Sequence, residues 1–302
     1  MIEIESGRFK TYRMESWRDF DDYDPQSVQC VYRGQGGQTW RSWTAYERRQ
    51  RVQNPMREQK MLDRFISQAG IYVGDLPTRE DYVSWFSLMQ HYGTGTRLLD
   101  VTRSRYVAMF FALTGMIDSG CKEDGVVWVF KTYGSNLNFY NALMTTEASP
   151  CLDVREDPLT QSLEEYKTLG RRFANAFIRS DWGMEIRDEI SDGLVKRHRE
   201  RMKPFLEEGG VMQIVPAKTN KRMVAQAAEF LMPITLRKSF EENLCSKVCG
   251  WDGKRCVPGV AKLIIPKEMI DEFWGKLNEM NITYQTIYPG IEGLAMSVNY
   301  NY

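Results

Sequence analysis

The sequence predicts an α+β fold, and three observations carry that expectation. Short runs of β-branched and aromatic residues are interspersed with longer stretches of helical periodicity. The two kinds of segment do not follow the strand–helix–strand rhythm of a doubly wound parallel sheet. No internal repeat or low-complexity linker breaks the chain.

The elements follow in order. VQCVYR (28–33) alternates like a short buried strand and runs into Gly34, Gly36 and Gly37, a flexible turn. Between Arg57 and Ala69, residues Met61, Leu62, Phe65, Ile66 and Ala69 share one helical face. Thr78 stands as an N-cap before a second helix carrying Tyr82, Val83, Phe86 and Met89, and Gly93 is placed to end it. TRLLDVT is extended and leads into a buried helix over 105–117; Gly125 then opens the strand VVWVFKT. The stretch from about 150 to 209 is polar and mostly helical, broken at Pro158, Gly170, Gly183 and Gly193. Strands return at VMQIVPA and VAKLIIP, and an amphipathic helix from Lys267 to Met280 leads to ITYQTIYPGIEGLAMSV.

Composition narrows the function classes. The 302 residues include 40 Lys+Arg and 40 Asp+Glu, with 42% hydrophobic and 26% charged residues, the balance of a globular chain. Zero net charge excludes a uniformly basic nucleic-acid coat and a uniformly acidic tail, while leaving room for a local basic face. The length accommodates one large domain or two small ones at roughly 150 residues each. The longest apolar run, Tyr106 to Ile117, is too short to cross a bilayer. MIEIESGRFK has acids where a signal peptide needs a basic and then an apolar region, so a cytoplasmic protein with no membrane partner is expected. Cys245, Cys249 and Cys256 cluster, but their spacing is not a standard zinc knuckle, and His91 and His198 are distant in sequence; reduced thiols are the simpler reading.

Common catalytic spacings are missing: no P-loop, no G-x-G-x-x-G after a strand, no G-x-S-x-G and no H-E-x-x-H. Any chemistry would rest on carboxylates, arginines or a co-substrate. Three segments stand out instead: Tyr32–Gln35 (YRGQ), Gln90–Thr102 (QHYGTGTRLLDVT) and Tyr288–Ala295 (YPGIEGLA).

The first two resemble the FRG domain, whose pattern is an (F/Y)RG start, a QHYG-x-x-TRLLDWT segment and a V/A-L-x-F-A helix, here Tyr106–Ala112. GVVWVF stands where that family has a strand, and YPGIEGLA is similar to its F-P-x-L-x-G-L-A ending. The resemblance implies an N-terminal extension over 1–27 and a single domain over 28–302 with the helical insertion inside it. It also implies a bacterial defence or toxin-like setting.

A weaker resemblance joins Tyr-Arg-Gly to the first strand of ADP-ribosyltransferases, and Ala227–Leu231 (AAEFL) to the segment bearing the catalytic glutamate in nucleic-acid-modifying toxins of that kind. Many FRG proteins read Q-x-G-x-F there, so Glu229 falls at a position that pattern leaves free, and Gln226 is a second candidate in the same segment. This second resemblance implies an ADP-ribosyltransferase-like split β-sheet core with flanking helices, and NAD as co-substrate.

Such chemistry needs a carboxylate to stabilise positive charge on the ribose, an arginine for the pyrophosphate and an aromatic ring to stack on. Glu229 and Arg33 are therefore the expected catalytic pair. Tyr32, Arg33, Gly34, Gln90, His91, Tyr92, Thr96 and Arg97 are the expected cofactor-binding set, and no metal is required.

Each has a plainer rival. Arg33 reads equally as a strand-end arginine paired with an acid, Gln90–Tyr92 as a helix cap, and Thr96, Arg97 and Asp100 as a local ion-pair cluster. The runs Lys196–Lys203 and Arg48–Arg51, the latter near Trp40, Trp43 and Tyr46, are either solvated faces or contacts to nucleic acid. A nuclease would need clustered carboxylates, and Asp19–Asp24 is the one dense acidic run.

The resulting expectation is a mono-ADP-ribosyltransferase acting on RNA or single-stranded DNA, with an antitoxin or regulatory protein as a further partner. The alternative is a non-enzymatic module binding a nucleotide or a partner.

Overall fold

The computed structural model describes residues 1–4, 7–25, 29–50, 54–132, 163–184, 199–215, 220–249, 253, 256–257 and 259–300. Its class is α+β. Strands β1 (Ile2–Ile4), β2 (Lys10–Arg13), β3 (Cys30–Gln35), β4 (Leu99–Thr102), β5 (Gly125–Lys131), β6 (Val211–Ile214), β7 (Ala228–Pro233) and β8 (Val260–Ile265) form one sheet. Their order is β1-β2-β8-β5-β3-β4-β7-β6. The β2–β8 pair is parallel, and the six other neighbours are antiparallel.

Helices α1 (Trp17–Asp21), α2 (Ala45–Arg49), α3 (Pro55–Ala69), α4 (Tyr82–His91) and α5 (Arg105–Asp118) come first. Then follow α6 (Leu163–Asp181), α7 (Arg199–Glu208), α8 (Lys221–Ala225), α9 (Phe240–Leu244), α10 (Ile270–Glu279), α11 (Tyr284–Ile287) and α12 (Ile291–Tyr300).

Three cores divide the sheet's two faces. On one face Val31, Leu99, Val101, Trp128, Phe130, Val211, Leu231 and Phe240 form a layer that runs beneath nearly the whole sheet. On the other face the apolar residues fall into two groups. Tyr32, Val127, Val129 and Leu263 pack with α5 and α10, while Met212, Ile214, Phe230 and Met232 pack with α3, α4, α6 and α7. The boundary between these groups falls where β3 neighbours β4.

That boundary is also the weakest seam in the ladder. Strand β3 pairs with β5 over six residues, and β4 with β7 over four. Between β3 and β4 the register holds a single pair, Tyr32 opposite Thr102. From Arg33 onward the two strands diverge, so the sheet carries a fork near its middle.

The glycines of YRGQG explain how β3 lies on α5. A Cβ on Gly34 would stand 1.8 Å from the Ala108 carbonyl oxygen and 2.5 Å from the Ala112 nitrogen. One on Gly36 would stand 2.1 Å from the Gly115 carbonyl carbon. Ala108, Ala112 and Gly115 form a small-residue stripe at helical spacing, against which the strand backbone rests. Gly34→Ala is therefore expected to cost about 3 kcal/mol, at the upper end of ordinary overpacking because both clashes are with backbone. A urea titration of the variant measures it.

Several sequence expectations shift. Residues 1–25 add β1, β2 and α1 to the body of the sheet, a contribution the N-terminal sequence did not signal. The N-cap of α4 is Asp81, not Thr78: its carboxylate accepts from the Ser84 amide at 3.2 Å and the Ser84 hydroxyl at 2.5 Å. Glu229 lies on β7, a strand the sequence reading passed over. Of the insertion over 150–209, α6 and α7 are described and bury Phe173, Phe177, Met202 and Phe205 in the core shared with α3 and α4. Residues 133–162 and 185–198, with Cys151, Pro158 and the start of the Lys196–Lys203 run, lie outside the described residues.

The acidic run Asp19–Asp24 serves docking. Arg105 of α5 donates to the carbonyls of Phe20, Asp21 and Tyr23 at 2.9–3.3 Å, and the Tyr106 hydroxyl to the Asp21 carboxylate. Among the described residues, no group of three or more His, Cys, Asp or Glu is placed to hold a metal ion, and no helix is long and apolar enough to cross a membrane. Cys245 and Cys249 are buried, and burial pushes the Cys245 thiol up to about 11 and Cys249 upward as well.

Candidate functional site

A cavity of roughly 480 Å³ opens at the fork, between the two cores of the divided face. Strand β3 supplies Tyr32 through Gln35, β4 supplies Asp100, Val101 and Thr102, and α4 supplies Ser87, Gln90 and His91. The α8 region adds Asn220, Arg222, Met223 and Gln226. Four aromatic rings line it: Tyr32, Trp40, Phe111 and Phe230. Among the described residues, its charged lining is three guanidiniums, Arg33, Arg48 and Arg222, against one carboxylate, Asp100.

Arg33 sits in the fork itself. Its Nη1 donates to the Asp100 backbone carbonyl at 2.7 Å, bridging the gap that the missing ladder leaves. Its Nε is sealed from solvent and has no hydrogen-bond partner among the described residues. Burial lowers this guanidinium's pKa to about 10; the Asp100 charge opposes the shift and the nearby Arg48 adds to it. Arg33 and Arg48 thus face the same cavity close enough to repel one another. Arg48 is fixed by donation to the Trp43 carbonyl at 2.6 Å. Arg222 rests over the Tyr288 ring, 4.6 Å from its centroid. That cation–π contact brings the YPGIEGLA segment to the cavity's rim.

The QHYG-x-x-TRLLD segment splits into parts with different work. Gln90 lies in the last turn of α4 and faces the cavity. His91 is exposed beside it, 3.4 Å from the Asn220 amide nitrogen. Gly93, at φ +83°, closes the helix with Thr94 donating back to the Met89 carbonyl at 2.9 Å. Tyr92 turns away: it is exposed and lines a separate apolar groove with Met61, Phe65 and Met89. Thr96 is buried, and its hydroxyl donates to the Gln90 side-chain oxygen at 2.6 Å.

Arg97 departs furthest from its expected role. Its side chain is wholly buried, bonded to Glu58 at 2.9–3.1 Å through Nε and to Asp181 at 3.1 Å through Nη2. It joins α3, the end of α6 and the Ile234 carbonyl, and is not among the cavity's lining residues. The ion-pair reading of this arginine is the one the structure displays, with partners far off in sequence.

Glu229 also stands outside the lining. Opposite Val101 in the β4–β7 register, it alternates with Ala228 and Phe230, both of which reach the cavity. Its carboxylate accepts from the Gln213 side chain and pairs with Arg103 at 3.3 Å. Gln226 lines the cavity and donates to the Ile287 carbonyl at 3.3 Å. Between Gln226 and Ala228, Ala227 takes a left-handed φ of +44°, a strained conformation for a side-chain-bearing residue. Trp40 lines the cavity, whereas Tyr46 is fully buried and Trp43 lies under Arg41, 5.4 Å from guanidinium to ring.

Sequence reasoning passed over Arg48 and Arg222 as individual ligands, and treated Asp100 only as a partner for Arg97. Their common signal was faint: each lies in or next to a segment singled out for other reasons.

Fold and site together define an α+β protein with a cationic, aromatic-lined cavity at a fork in its sheet. Residues 28–120 match the family model of the FRG domain, and the chain carries that domain. The matched span contains β3, the whole of α4, β4 and α5, and ends before α8 and YPGIEGLA. No curated protein and no solved structure matches the chain.

Proposed function

We propose that the cavity binds a nucleotide through its phosphates, and that the protein is an NAD-dependent ADP-ribosyltransferase modifying RNA or single-stranded DNA. The observation that carries this reading is the Arg33 guanidinium in the fork, lining the cavity together with Arg48 and Arg222. A pyrophosphate satisfies what that arrangement lacks: oxygens that accept charge-assisted hydrogen bonds and offset like-charge repulsion. Four rings in the same cavity suit a flat base, and the volume suits a ligand of nucleotide size.

NAD supplies the ADP-ribosyl group. The bond between ribose and nicotinamide breaks with its electron pair leaving on nicotinamide, and a bond from the same carbon to the acceptor forms as the acceptor loses a proton. In this reading Arg33 and Arg48 hold the phosphates, Trp40 and Phe230 enclose the base, and the α8 rim with Arg222 meets the incoming strand. A toxin or defence role and an antitoxin partner fit such an activity.

A second reading, a nucleotide-binding module without transfer activity, is favoured by the engagement of Glu229 with Gln213 and Arg103 outside the cavity. Two measurements separate them: binding of NAD, and release of nicotinamide with RNA, single-stranded DNA or protein added. Binding with release supports the transferase, binding without release across acceptors supports the module, and no binding rejects both. Glu229→Gln is expected to leave NAD affinity within about twofold, since one neutral-for-charged exchange outside the cavity shifts binding little. Calorimetric titration of the variant checks this.

A further inference from the structure

The one carboxylate that the described residues bring to the cavity, Asp100, is held by a hydrogen-bond chain whose direction is fixed end to end. The Leu98 amide donates to the Thr96 hydroxyl oxygen at 3.3 Å. That leaves the hydroxyl proton to donate to the Gln90 Oε1 at 2.6 Å. With its oxygen so occupied, the Gln90 amide can turn only its NH₂ toward Asp100, and Nε2 donates to Oδ1 at 2.6 Å. Arg33 meanwhile contacts the Asp100 backbone carbonyl and not its carboxylate. Asp100 is exposed within the cavity, opposite Phe230 on the neighbouring strand.

The geometry points to Asp100 as the residue that binds the hydroxyl pair of a ribose, making the cavity selective for ribonucleotides over their deoxy counterparts. The inference rests on the nucleotide reading above. A carboxylate repels phosphate, and this one takes the neutral Gln90 amide while Arg33 takes the backbone carbonyl, so its remaining acceptors suit further neutral donors. A vicinal diol presents two O–H donors at a spacing that one carboxylate accepts together. Gln90 and Thr96 are positioning residues: they spend one lone pair of Oδ1 and fix the carboxylate's plane, so the remaining lone pairs face the ligand. This arrangement assigns a purpose to four residues of the Gln90–Asp100 segment that Arg97, committed to the core, does not share.

The test measures binding of NAD, of NAD analogues lacking the 2′-hydroxyl of either ribose, and of inorganic pyrophosphate to the full chain and to Asp100→Asn. The wild type is expected to prefer NAD over one of the deoxy analogues by roughly tenfold, the worth of a charge-assisted hydrogen bond. Asp100→Asn is expected to lose that preference while binding pyrophosphate at least as tightly, because a negative charge has left the cavity. Gln90→Ala is expected to reduce the preference by a smaller factor, again with pyrophosphate affinity kept.

A preference that survives in Asp100→Asn, or a wild type without one, overturns the assignment and leaves the nucleotide reading standing. Loss of pyrophosphate and NAD binding together in Asp100→Asn overturns it too, by making the residue structural. A wild type that binds neither NAD nor pyrophosphate defeats the nucleotide reading itself, and this assignment with it.

Discussion

Arg97→Ala is expected to destabilise the protein by about 3–5 kcal/mol, the cost of removing one partner from a buried ion pair. The guanidinium is fully enclosed between Glu58 and Asp181, whose side chains are 2% and 3% exposed. Trp182 donates to Glu58 at 3.2 Å, and Thr235 and Leu236 donate to Asp181 at 2.7 and 2.9 Å. Without the cation, two carboxylates remain buried together with neutral donors and, 3.8 Å from Asp181, the largely exposed Arg237. Burial already raises the Glu58 pKa, and the Arg97 charge opposes that rise. Losing Arg97 raises it further, so the deficit should shrink as pH falls toward that raised folded-state pKa and Glu58 takes up a proton. Urea unfolding of the variant at neutral and mildly acidic pH measures both effects. A loss under 1 kcal/mol at neutral pH would mean that the cluster stabilises nothing.

Arg33→Ala should act on binding and not on folding. Nucleotide affinity is expected to fall about 10²-fold, as when a desolvated partner of a charged ligand is truncated. Thermal stability should change little, because loss of the Nη1 bond to the Asp100 carbonyl is offset by removal of a buried Nε that has no partner among the described residues. Arg33→Lys should not restore affinity, since an ammonium cannot reproduce the planar fork. The wild-type guanidinium, lowered to about 10 by burial, stays charged at neutral pH and is lost only as pH passes that value. Phosphate affinity should therefore hold from neutrality upward and decline as that value is approached. Calorimetry with pyrophosphate and NAD reads all of this, and unchanged affinity in Arg33→Ala would place the anion elsewhere.

Much of the fold was legible because local signals agreed with tertiary structure. The apolar stretch before Asp118 is a buried helix because it packs between sheet and α10, and the strand after Gly125 is central and apolar on both faces. The first two strands were not legible. Ile2–Ile4 is only three residues long and exposed, Lys10–Arg13 is largely polar, and pairing with β8 through β2 makes them strands. Strand β7 ends at Pro233, which reads as a break, and begins after Ala227, whose left-handed backbone nothing in the sequence signals.

At the site, the YRG and QHYG segments did meet in one cavity, with Tyr32, Arg33, Gly34, Gln90 and His91 all in its lining. Tyr92, Thr96 and Arg97 are not in that lining, for three different reasons: a helix-ending turn, a hydroxyl committed to Gln90, and a guanidinium drawn into the core. Motif membership says that residues belong together in sequence; the alternation of a strand and the turn of a helix decide which of them share a surface. Glu229 shows the same rule, since its neighbours on both sides reach the cavity and it does not.

Because Tyr32 and Thr102 form the one rung between the five-strand and three-strand portions of the sheet, the seam there is held chiefly by the apolar layer beneath it. A molecule lodged in the gap touches both portions and works as a keystone: it adds the cross-links that the strands themselves forgo. Its affinity is then returned to the protein as resistance to unfolding, which ties the durability of the folded chain to the abundance of whatever fills the gap.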